Sequence, residues 1–365
     1  MERRDFLRGG LSFSAGLVLA GSPSALRLAA QAAEPKWRAF EVTTKAEILN
    51  PSGIVRAWLP LPLLVDTDYF KRLGDKWTGN PSVARVIHGD NYGFGMLYLE
   101  WPPSEKAPLV ELSSRFMTRD RVIDLGKKPR YHPAEHNAVL KHFLQSTRFI
   151  PTSGIVAETA RGVTRGLEHD EDKARAIYEW VVENTFRDPK VRGCGLGNIK
   201  AMLEARSLGG KCADLNALYV GLARSAGLPA RDLYGLRCAS SEEFNCLGKN
   251  GDITKAQHCR AEVYLADYGW VPLDPADVRK VALEEKPGGL TIEDPVVKRA
   301  RAKLFGAWEM NYLPFNYAHD VRLPHSHMEP IPFLMYPQAE VATGPRDSLD
   351  PSSFRYTIES HELNL

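Results

Sequence analysis

The apolar residues of this chain repeat with different periods in successive segments, and this order limits the fold classes open to it. Residues 36–125 contain alternating or β-branched stretches separated by Pro, Gly, Asn and Asp, which is typical of short antiparallel strands. From about residue 130 the spacing becomes helical, and apparent strands return over 230–237, 258–266 and 268–275. The chain is therefore predicted to be an α+β protein that begins with a β-sandwich-like domain.

Two amphipathic helices are predicted in the middle of the chain, over residues 171–186 and 212–227. Gly227 stops the second helix, and Pro229 prevents it from continuing. A tight turn at 267–269 joins the last two predicted strands into a hairpin. After residue 280 we expect one helix, followed by irregular chain rich in aromatic residues and proline.

Composition excludes several classes of protein. Hydrophobic residues make up 44% and charged residues 25% of the chain, which excludes a disordered tail, a collagen and a disulfide-dense scaffold. Outside residues 1–32 there are 43 basic and 43 acidic side chains. A neutral chain gives no electrostatic reason to expect binding to nucleic acid or to an anionic membrane.

The first 32 residues have the pattern of a bacterial export signal. Arg3 and Arg4 precede an apolar run over residues 11–20, and Ala30 and Ala32 form an A-x-A-type cleavage site. This pattern resembles a twin-arginine signal, which directs folded proteins to the periplasm. The alternative is a membrane-anchoring helix, but the apolar run is shorter than the ~20 residues that a span requires.

The cysteine count is odd, so an oxidising compartment would leave one thiol unpaired. Cys238 and Cys246 bracket a short polar loop and could close it with a disulfide. The alternative is that Cys194, Cys238, Cys246 and Cys259 all stay reduced and packed. The sequence does not choose between these two states.

Three residues, Cys212, His258 and Asp274, suit one chemical mechanism. Cys212 begins a predicted helix, where free N–H groups and the helix dipole stabilise a thiolate. His258 begins a strand and Asp274 ends the next one, so antiparallel pairing brings them together. The carboxylate can then hold one imidazole nitrogen while the other faces the thiol. Each residue alone is more often a packed, hydrogen-bonded or turn residue, and the argument depends on their combination.

The sequence around these residues resembles the bacterial transglutaminase-like superfamily over roughly residues 170–280. The resemblance is carried by the Gly-Gly-Lys-Cys-Ala-Asp-Leu-Asn-Ala-Leu-Tyr segment (209–219), by 223–231, by His258 with Glu262-Val-Tyr, and by Gly-Trp-Val-Pro-Leu-Asp-Pro (269–275). It implies a papain-like core in which Cys212, His258 and Asp274 form the catalytic triad. The Trp58–Pro62 segment is similar to a strand end in the β-rich domain that often precedes this core.

This chain departs from the family pattern after the histidine: the family usually has an aromatic residue one or two places later, where this chain has Cys259-Arg260. Arg260 shares a strand face with His258. It either points toward the cleft, where it selects an anionic substrate group, or pairs with Glu262 on the same face. For the oxyanion hole we expect the Cys212 backbone N–H as one donor. Asn198 is a second candidate, with a turn-forming role as the alternative.

The predicted organisation has four parts, listed here in chain order. They are a signal peptide (1–32), a β-rich N-terminal domain (33–128), a transglutaminase-like catalytic core (129–280) and a C-terminal extension packed on the core (281–365). The aromatic residues of the extension are expected to wrap the core or to form a wall of the cleft. No cofactor is needed, and no metal site is expected, because His325-x-His327 and His132-x₃-His136 have no convincing third ligand.

The predicted activity is thiol-dependent acyl transfer on amide bonds through a thioester. Water would then complete a protease or amidase reaction, or an amine would complete a crosslinking reaction. We favour hydrolysis, with a peptide, protein or cell-wall amide as the substrate. The alternative is a catalytically inactive periplasmic binding or assembly module with the same fold. A thiol–disulfide role ranks lower, because the chain contains no Cys-x-x-Cys motif.

Overall fold

The computed structural model describes residues 36–89, 94–128 and 134–364, so the predicted signal peptide lies outside the described residues. The strands of the first part are β1 (Arg38–Ile48), β2 (Val55–Pro60), β3 (Phe70–Gly79), β4 (Val83–His88), β5 (Gly95–Trp101), β6 (Leu109–Thr118) and β7 (Arg121–Val122). The middle part contains α1 (Asn137–His142), α2 (Ile155–Val163), α3 (Asp170–Asn184), β8 (Phe186–Arg187), α4 (Ile199–Glu204), β9 (Gly209–Gly210), α5 (Cys212–Ser225), β10 (Ala230–Arg237), β11 (Gly251–Asp252), β12 (Gln257–Leu265) and β13 (Gly269–Leu273). The last part contains α6 (Pro275–Glu284), α7 (Pro295–Lys303), β14 (Ala307–Trp308), β15 (Tyr312–Asn316), β16 (Gln338–Val341), β17 (Gly344–Arg346) and β18 (Phe354–Leu363).

Two five-stranded antiparallel sheets enclose a shared apolar core, as the prediction of an N-terminal sandwich requires. Their strand orders are β11-β18-β1-β6-β3 and β17-β16-β2-β5-β4. Alternate residues of β6 are buried, among them Val110 and Leu112. These two side chains pack in one cluster with Leu97 and Leu99 of the other sheet. A period of two residues therefore places one face of each sheet inside the sandwich.

The end of the chain completes both sheets of the sandwich. Strand β18 pairs with β1 from the Ala39–Leu363 pair to the Ile48–Phe354 pair, and β16 pairs with β2. The prediction of irregular chain after the last helix is therefore wrong for this segment. Within β18, Phe354, Ile358 and Ser360 are buried and alternate with exposed residues, which is the pattern of a strand on the surface of a core.

The predicted domain boundaries at 32/33, 128/129 and 280/281 stay predictions. The strand pairing nevertheless shows that the segment after residue 281 contributes strands to more than one sheet. Strand β15 extends the core sheet, whereas β16, β17 and β18 extend the sandwich.

The second half of the structure contains a four-stranded antiparallel sheet and a buried helix. The sheet has the order β13-β12-β10-β15, and α5 packs against it. All residues of α5 from Cys212 to Arg224 are buried, so this helix is covered on every side. The predicted helices, the strand over 230–237 and the 267–269 hairpin turn are confirmed within two residues at their ends.

None of the helices in the described ranges has both the length and the hydropathy that crossing a membrane would require.

The burial of β18 predicts that Ile358 stabilises the packing of this strand, because it lies in one apolar cluster with Phe40 and Val42 of β1. The Ile358 side chain is 2% exposed. We expect Ile358→Ala to lower the free energy of unfolding by about 2–4 kcal/mol, because it leaves a cavity in a packed core. Urea denaturation monitored by tryptophan fluorescence measures this change.

Thr357→Ala is the matched control, because Thr357 is the exposed neighbour on the same strand. It should change the free energy of unfolding by less than about 0.5 kcal/mol. Equal effects of the two substitutions would contradict the placement of β18.

Candidate active site

Cys212 lies at the N-terminus of the buried helix and at the wall of a cavity of about 560 Å³. Lys211 caps the helix with extended backbone angles, so the amides of the first turn point toward the cavity end of the helix. Within the described chain, the Cys212 backbone N–H has no hydrogen-bond acceptor. The Cys212 side chain is 4% exposed. A thiol and a free amide donor therefore lie together at the positive end of a helix dipole.

The Asp214 carboxylate ties the start of α5 to the glycine-rich loop before it. It accepts hydrogen bonds from the amides of Leu196 (3.0 Å), Gly197 (2.9 Å) and Lys211 (3.0 Å). Gly195 passes so close to this carboxylate that a Cβ would lie 1.9 Å from Oδ2, and its φ is +89°. The loop therefore requires glycine at this position, and the three bonds fix the loop against the first turn of the helix.

His258 and Asp274 are in hydrogen-bond contact. His258 follows the first residue of β12, and Asp274 follows β13, the antiparallel neighbour of β12. The distance from His258 Nε2 to Asp274 Oδ2 is 2.7 Å. The other oxygen, Asp274 Oδ1, accepts bonds from Asn216 Nδ2 (3.2 Å) and from the Asp277 amide (3.0 Å). Since Nε2 is held by the carboxylate, Nδ1 is the ring nitrogen left for Cys212.

A second buried carboxylate and an arginine set the charge of the imidazole. Asp277 Oδ2 lies 3.5 Å from His258 Nε2, and Asp277 is itself paired with Arg237. Burial and the Arg237 charge lower the pKa of His258, but Asp277 and Asp274 outweigh both and raise it above its usual value. The site therefore favours the imidazolium form of His258.

Three thiols meet at the active centre, and their hydrogen bonds favour charge on one of them. Contacts from the Cys194 and Cys259 thiols, followed by those from His258, hold the pKa of Cys212 well below its usual value despite burial. The same contacts, together with burial, raise the pKa of Cys194 and Cys259. All five cysteines are free thiols, so Cys238 and Cys246 are not joined by a disulfide. The negative charge of a thiolate is therefore concentrated on Cys212.

His258, Asp274 and Asp277 also lie close enough together to bind a metal ion, since their ligand atoms are within 4.8 Å of one another. Two guanidinium groups oppose this use. Arg237 is paired with Asp277, and Arg260 Nε lies 3.9 Å from Asp274 Oδ2. A cation here would have to displace the histidine–carboxylate bond and face both positive charges. The donor set therefore fits proton transfer better than metal binding.

The two remaining candidates lie outside the cavity lining. Arg260 is buried behind Asp274, where it donates to the Glu309 carbonyl (2.9 Å) and lies over the ring of Tyr312. This position does not support its predicted role in selecting substrate. Asn198 uses its side-chain oxygen to cap α4. The Asn198 side chain thus has the turn-forming role that we gave as the alternative.

The alternative pairing of Arg260 with Glu262 is wrong. Both carboxylate oxygens of Glu262 are already bonded, one to Arg121 and the other to Arg231 (2.6 Å). Arg121 lies in a distant part of the chain, so its presence beside Glu262 depends on the tertiary fold.

Sequence reasoning missed Asn216, Asp277, Arg237 and Cys194 as neighbours of the centre. Asn216 lies four residues after Cys212, which places it one turn along the same helix. Asp277 lies three residues after Asp274, which is again helical spacing at an N-terminus. These two spacings were readable signals. Arg237 and Cys194 gave no local signal, since each reaches the site from a different loop or strand.

The cavity has three walls, one of which comes from the C-terminal segment. Residues 187–194 and 246–257 form two sides, and Tyr336, Leu349 and Phe354 belong to the third. Residues from distant parts of the sequence thus enclose Cys212 and His258.

The chain is similar to known proteins in both sequence and fold. Residues 157–275 match the transglutaminase-like superfamily. An uncharacterized protein of Haemophilus influenzae is 33% identical over 342 residues, which cover 89% of this chain and 91% of the relative. The crystal structure of a candidate cysteine protease from Cytophaga hutchinsonii superimposes with a TM-score of 0.53 at 13% identity, over 91% of this chain and 93% of the other. At that identity the superposition shows a shared fold.

The lowered pKa of Cys212 predicts selective alkylation of this thiol. A thiolate persists down to its own pKa, so iodoacetamide should label Cys212 at a lower pH than it labels an ordinary thiol. Labelling of Cys238 should be slow, because burial raises the pKa of Cys238 to about 12. Peptide mass spectrometry across a pH series measures both rates.

His258→Ala is the informative variant. It removes a hydrogen bond and a positive charge from the thiolate, so the pKa of Cys212 should rise. Each unit of rise lowers the thiolate fraction about tenfold at a pH below the pKa. An unchanged pH profile in this variant would contradict the thiolate–imidazole pair.

Proposed function

This chain is a transglutaminase-like superfamily protein, and we propose that it transfers acyl groups from amide bonds through a thioester on Cys212. The observation that carries the proposal is the 2.7 Å bond from His258 to Asp274 in the same pocket as a thiol of lowered pKa. Cys212 is then the nucleophile, His258 the base and Asp274 the orienting carboxylate, which are the three roles that thiol-dependent acyl transfer requires.

The first half-reaction forms the thioester. The Cys212 thiolate attacks the carbonyl carbon of the amide, and the Cys212 backbone N–H donates to the oxyanion that develops. The carbon–nitrogen bond breaks as His258 gives its proton to the leaving amine. Asp274 keeps the imidazole oriented, and Asn216 and the Asp277 amide hold Asp274 in turn.

The second half-reaction releases the acyl group. A water molecule loses a proton to His258 and attacks the thioester, the carbon–sulfur bond breaks, and the thiolate is restored. An amine in place of water would give a new amide. We favour water, because exposed residues such as Arg192, Lys249 and Leu349 line the cavity and give solvent access to it. The fold that this chain shares with a candidate cysteine protease supports a peptide substrate.

We also propose that the protein acts in the periplasm. The proposal rests on Arg3, Arg4 and the small residues Ala30 and Ala32 of the N-terminal segment. A periplasmic enzyme of this type would encounter extracytoplasmic proteins and cell-wall peptides as amide substrates.

An isotope experiment tests the reaction. With a quenched peptide library in H₂¹⁸O, hydrolysis through a thioester should place one ¹⁸O atom in each new carboxyl group. The acyl–enzyme should appear in the intact mass as an adduct on Cys212. Added glycine methyl ester should divert part of the product to an amide if amines compete.

Three variants separate the proposed roles. Cys212→Ser should abolish the adduct, and His258→Ala should lower kcat/KM by at least about 10³-fold, in the range found for triad residues. Tyr264→Phe, a half-buried position in β12 outside the cavity, is the control. Absence of product and adduct with a reactive Cys212 would instead favour the binding-module alternative.

Export predicts a defined mature N-terminus. When the full chain is produced in a bacterium with a twin-arginine system, we expect a periplasmic product that begins at Ala33. Replacing Arg3 and Arg4 together with lysine should retain the precursor in the cytoplasm. Arg8→Lys, in the same segment, should still be exported. Export of the double variant, or loss of export in the Arg8→Lys control, would contradict the assignment of this segment as a twin-arginine signal.

A further inference from the structure

The cavity beside Cys212 is lined by cations and by no carboxylate side chain. Among the described residues that line it, seven are lysine or arginine and none is aspartate or glutamate. The seven are Arg187, Arg192, Lys211, Arg237, Lys249, Lys255 and Lys280. This is a strong local excess, because basic and acidic residues balance in the chain after residue 32.

Four of these cations have carboxylate partners outside the lining. Arg237 is paired with Asp277, and Arg192 with Asp347 at 2.6 Å. The remaining two, Arg187 and Lys280, share Glu284. Asp252 also lies within electrostatic reach of Lys249 and Lys255, without a close ion pair. Four carboxylates therefore face seven cations, and the cavity keeps a positive excess.

Three lysines carry this excess. Lys211, Lys249 and Lys255 form no ion pair with any residue that the structure describes. Lys249 and Lys255 are exposed on the loop that forms one wall, and Lys211 is half-buried immediately before Cys212. Positive charge thus flanks the reactive sulfur from two sides of the cavity.

The lysines are not needed to explain the reactive thiol. The pKa of Cys212 is lowered first by the Cys194 and Cys259 thiols and then by His258. Ammonium groups that line a cavity without ion-pair partners instead have the properties of an electrostatic recognition surface. They raise the local concentration of anions and form charge-assisted hydrogen bonds with carboxylates.

We propose that the acyl donor of this enzyme is an acidic peptide that places carboxylate groups next to the scissile amide, against Lys211, Lys249 and Lys255. This inference rests on the acyl-transfer function proposed above. It assigns substrate selection to the cavity lysines, a role that the sequence had suggested for Arg260.

Two alkylating reagents of the same size test the charge of the cavity without a substrate. Iodoacetate is an anion and iodoacetamide is neutral, and both alkylate the same sulfur. We expect the ratio of the iodoacetate rate to the iodoacetamide rate to be higher at Cys212 than for the free thiol of N-acetylcysteine amide. In Lys249→Gln/Lys255→Gln the ratio should fall about three- to tenfold, and in the wild type added salt should lower it, because exposed charges are screened.

The control removes two lysines far from the cavity. Lys76 and Lys106 are exposed on the sandwich and do not line the cavity. The Lys76→Gln/Lys106→Gln variant should keep the wild-type ratio.

For a peptide pair that differs only by acidic or neutral residues beside the cleaved amide, kcat/KM should be higher for the acidic peptide. The Lys249→Gln/Lys255→Gln variant should lose that preference.

The outcomes separate this inference from the function on which it rests. If both reagents label Cys212 rapidly but the ratio is the same in all proteins, the acidic-substrate inference is wrong and acyl transfer stands. If neither reagent labels Cys212, both proposals fail. A lysine-dependent ratio together with the matching peptide preference supports both.

Discussion

The buried carboxylate of Asp214 is the constraint on which the geometry of the centre depends. It satisfies three backbone amides that would otherwise be unpaired near the start of a buried helix. By doing so it holds the glycine-rich loop against α5, and the same loop carries Cys194, whose carbonyl accepts from the Ala213 amide at 3.0 Å. The Cys212 thiol therefore starts from a fixed backbone, and its neighbouring thiol is fixed by the same contacts. Such preorganisation keeps the helix dipole directed at the reacting sulfur.

Buried carboxylates and arginines next to His258 balance one another's charge. Asp274 and Asp277 favour imidazolium on His258, while Arg237 and Arg260 offset the two carboxylates. Two carboxylates without these arginines would raise each other's pKa and lose their charge to protons. Arg237 lowers the pKa of Asp277, and Arg260 partly offsets the burial and the Asp277 charge that raise the pKa of Asp274. The two carboxylates in turn raise the pKa of the imidazole, which keeps it able to donate a proton. Arg260 acts in this balance although it does not reach the cavity.

The parts of the structure that could be predicted are those whose contacts are local. Helix α5 and the hairpin of β12 and β13 have clear periodicity and turn residues, so the positions of Cys212, His258 and Asp274 could be inferred. Strands β3 and β4 lie at the edges of their sheets and have many exposed residues, so their sequences lack a clean apolar alternation. The pairing of β18 with β1 joins opposite ends of the chain, which no local pattern encodes. The same holds for Arg121, which reaches Glu262 across 141 residues.

The sandwich contributes to the active site because it positions one wall of the cavity. Phe354 of β18 packs in the sandwich core and also lines the cavity, and Tyr356 on the same strand lines it too. Their position is set by the register of β18 on β1. A one-residue slip would turn both side chains to the other face of the sheet. The first strand of the described chain thus determines the shape of a site whose reacting residues lie more than 160 positions later in the sequence.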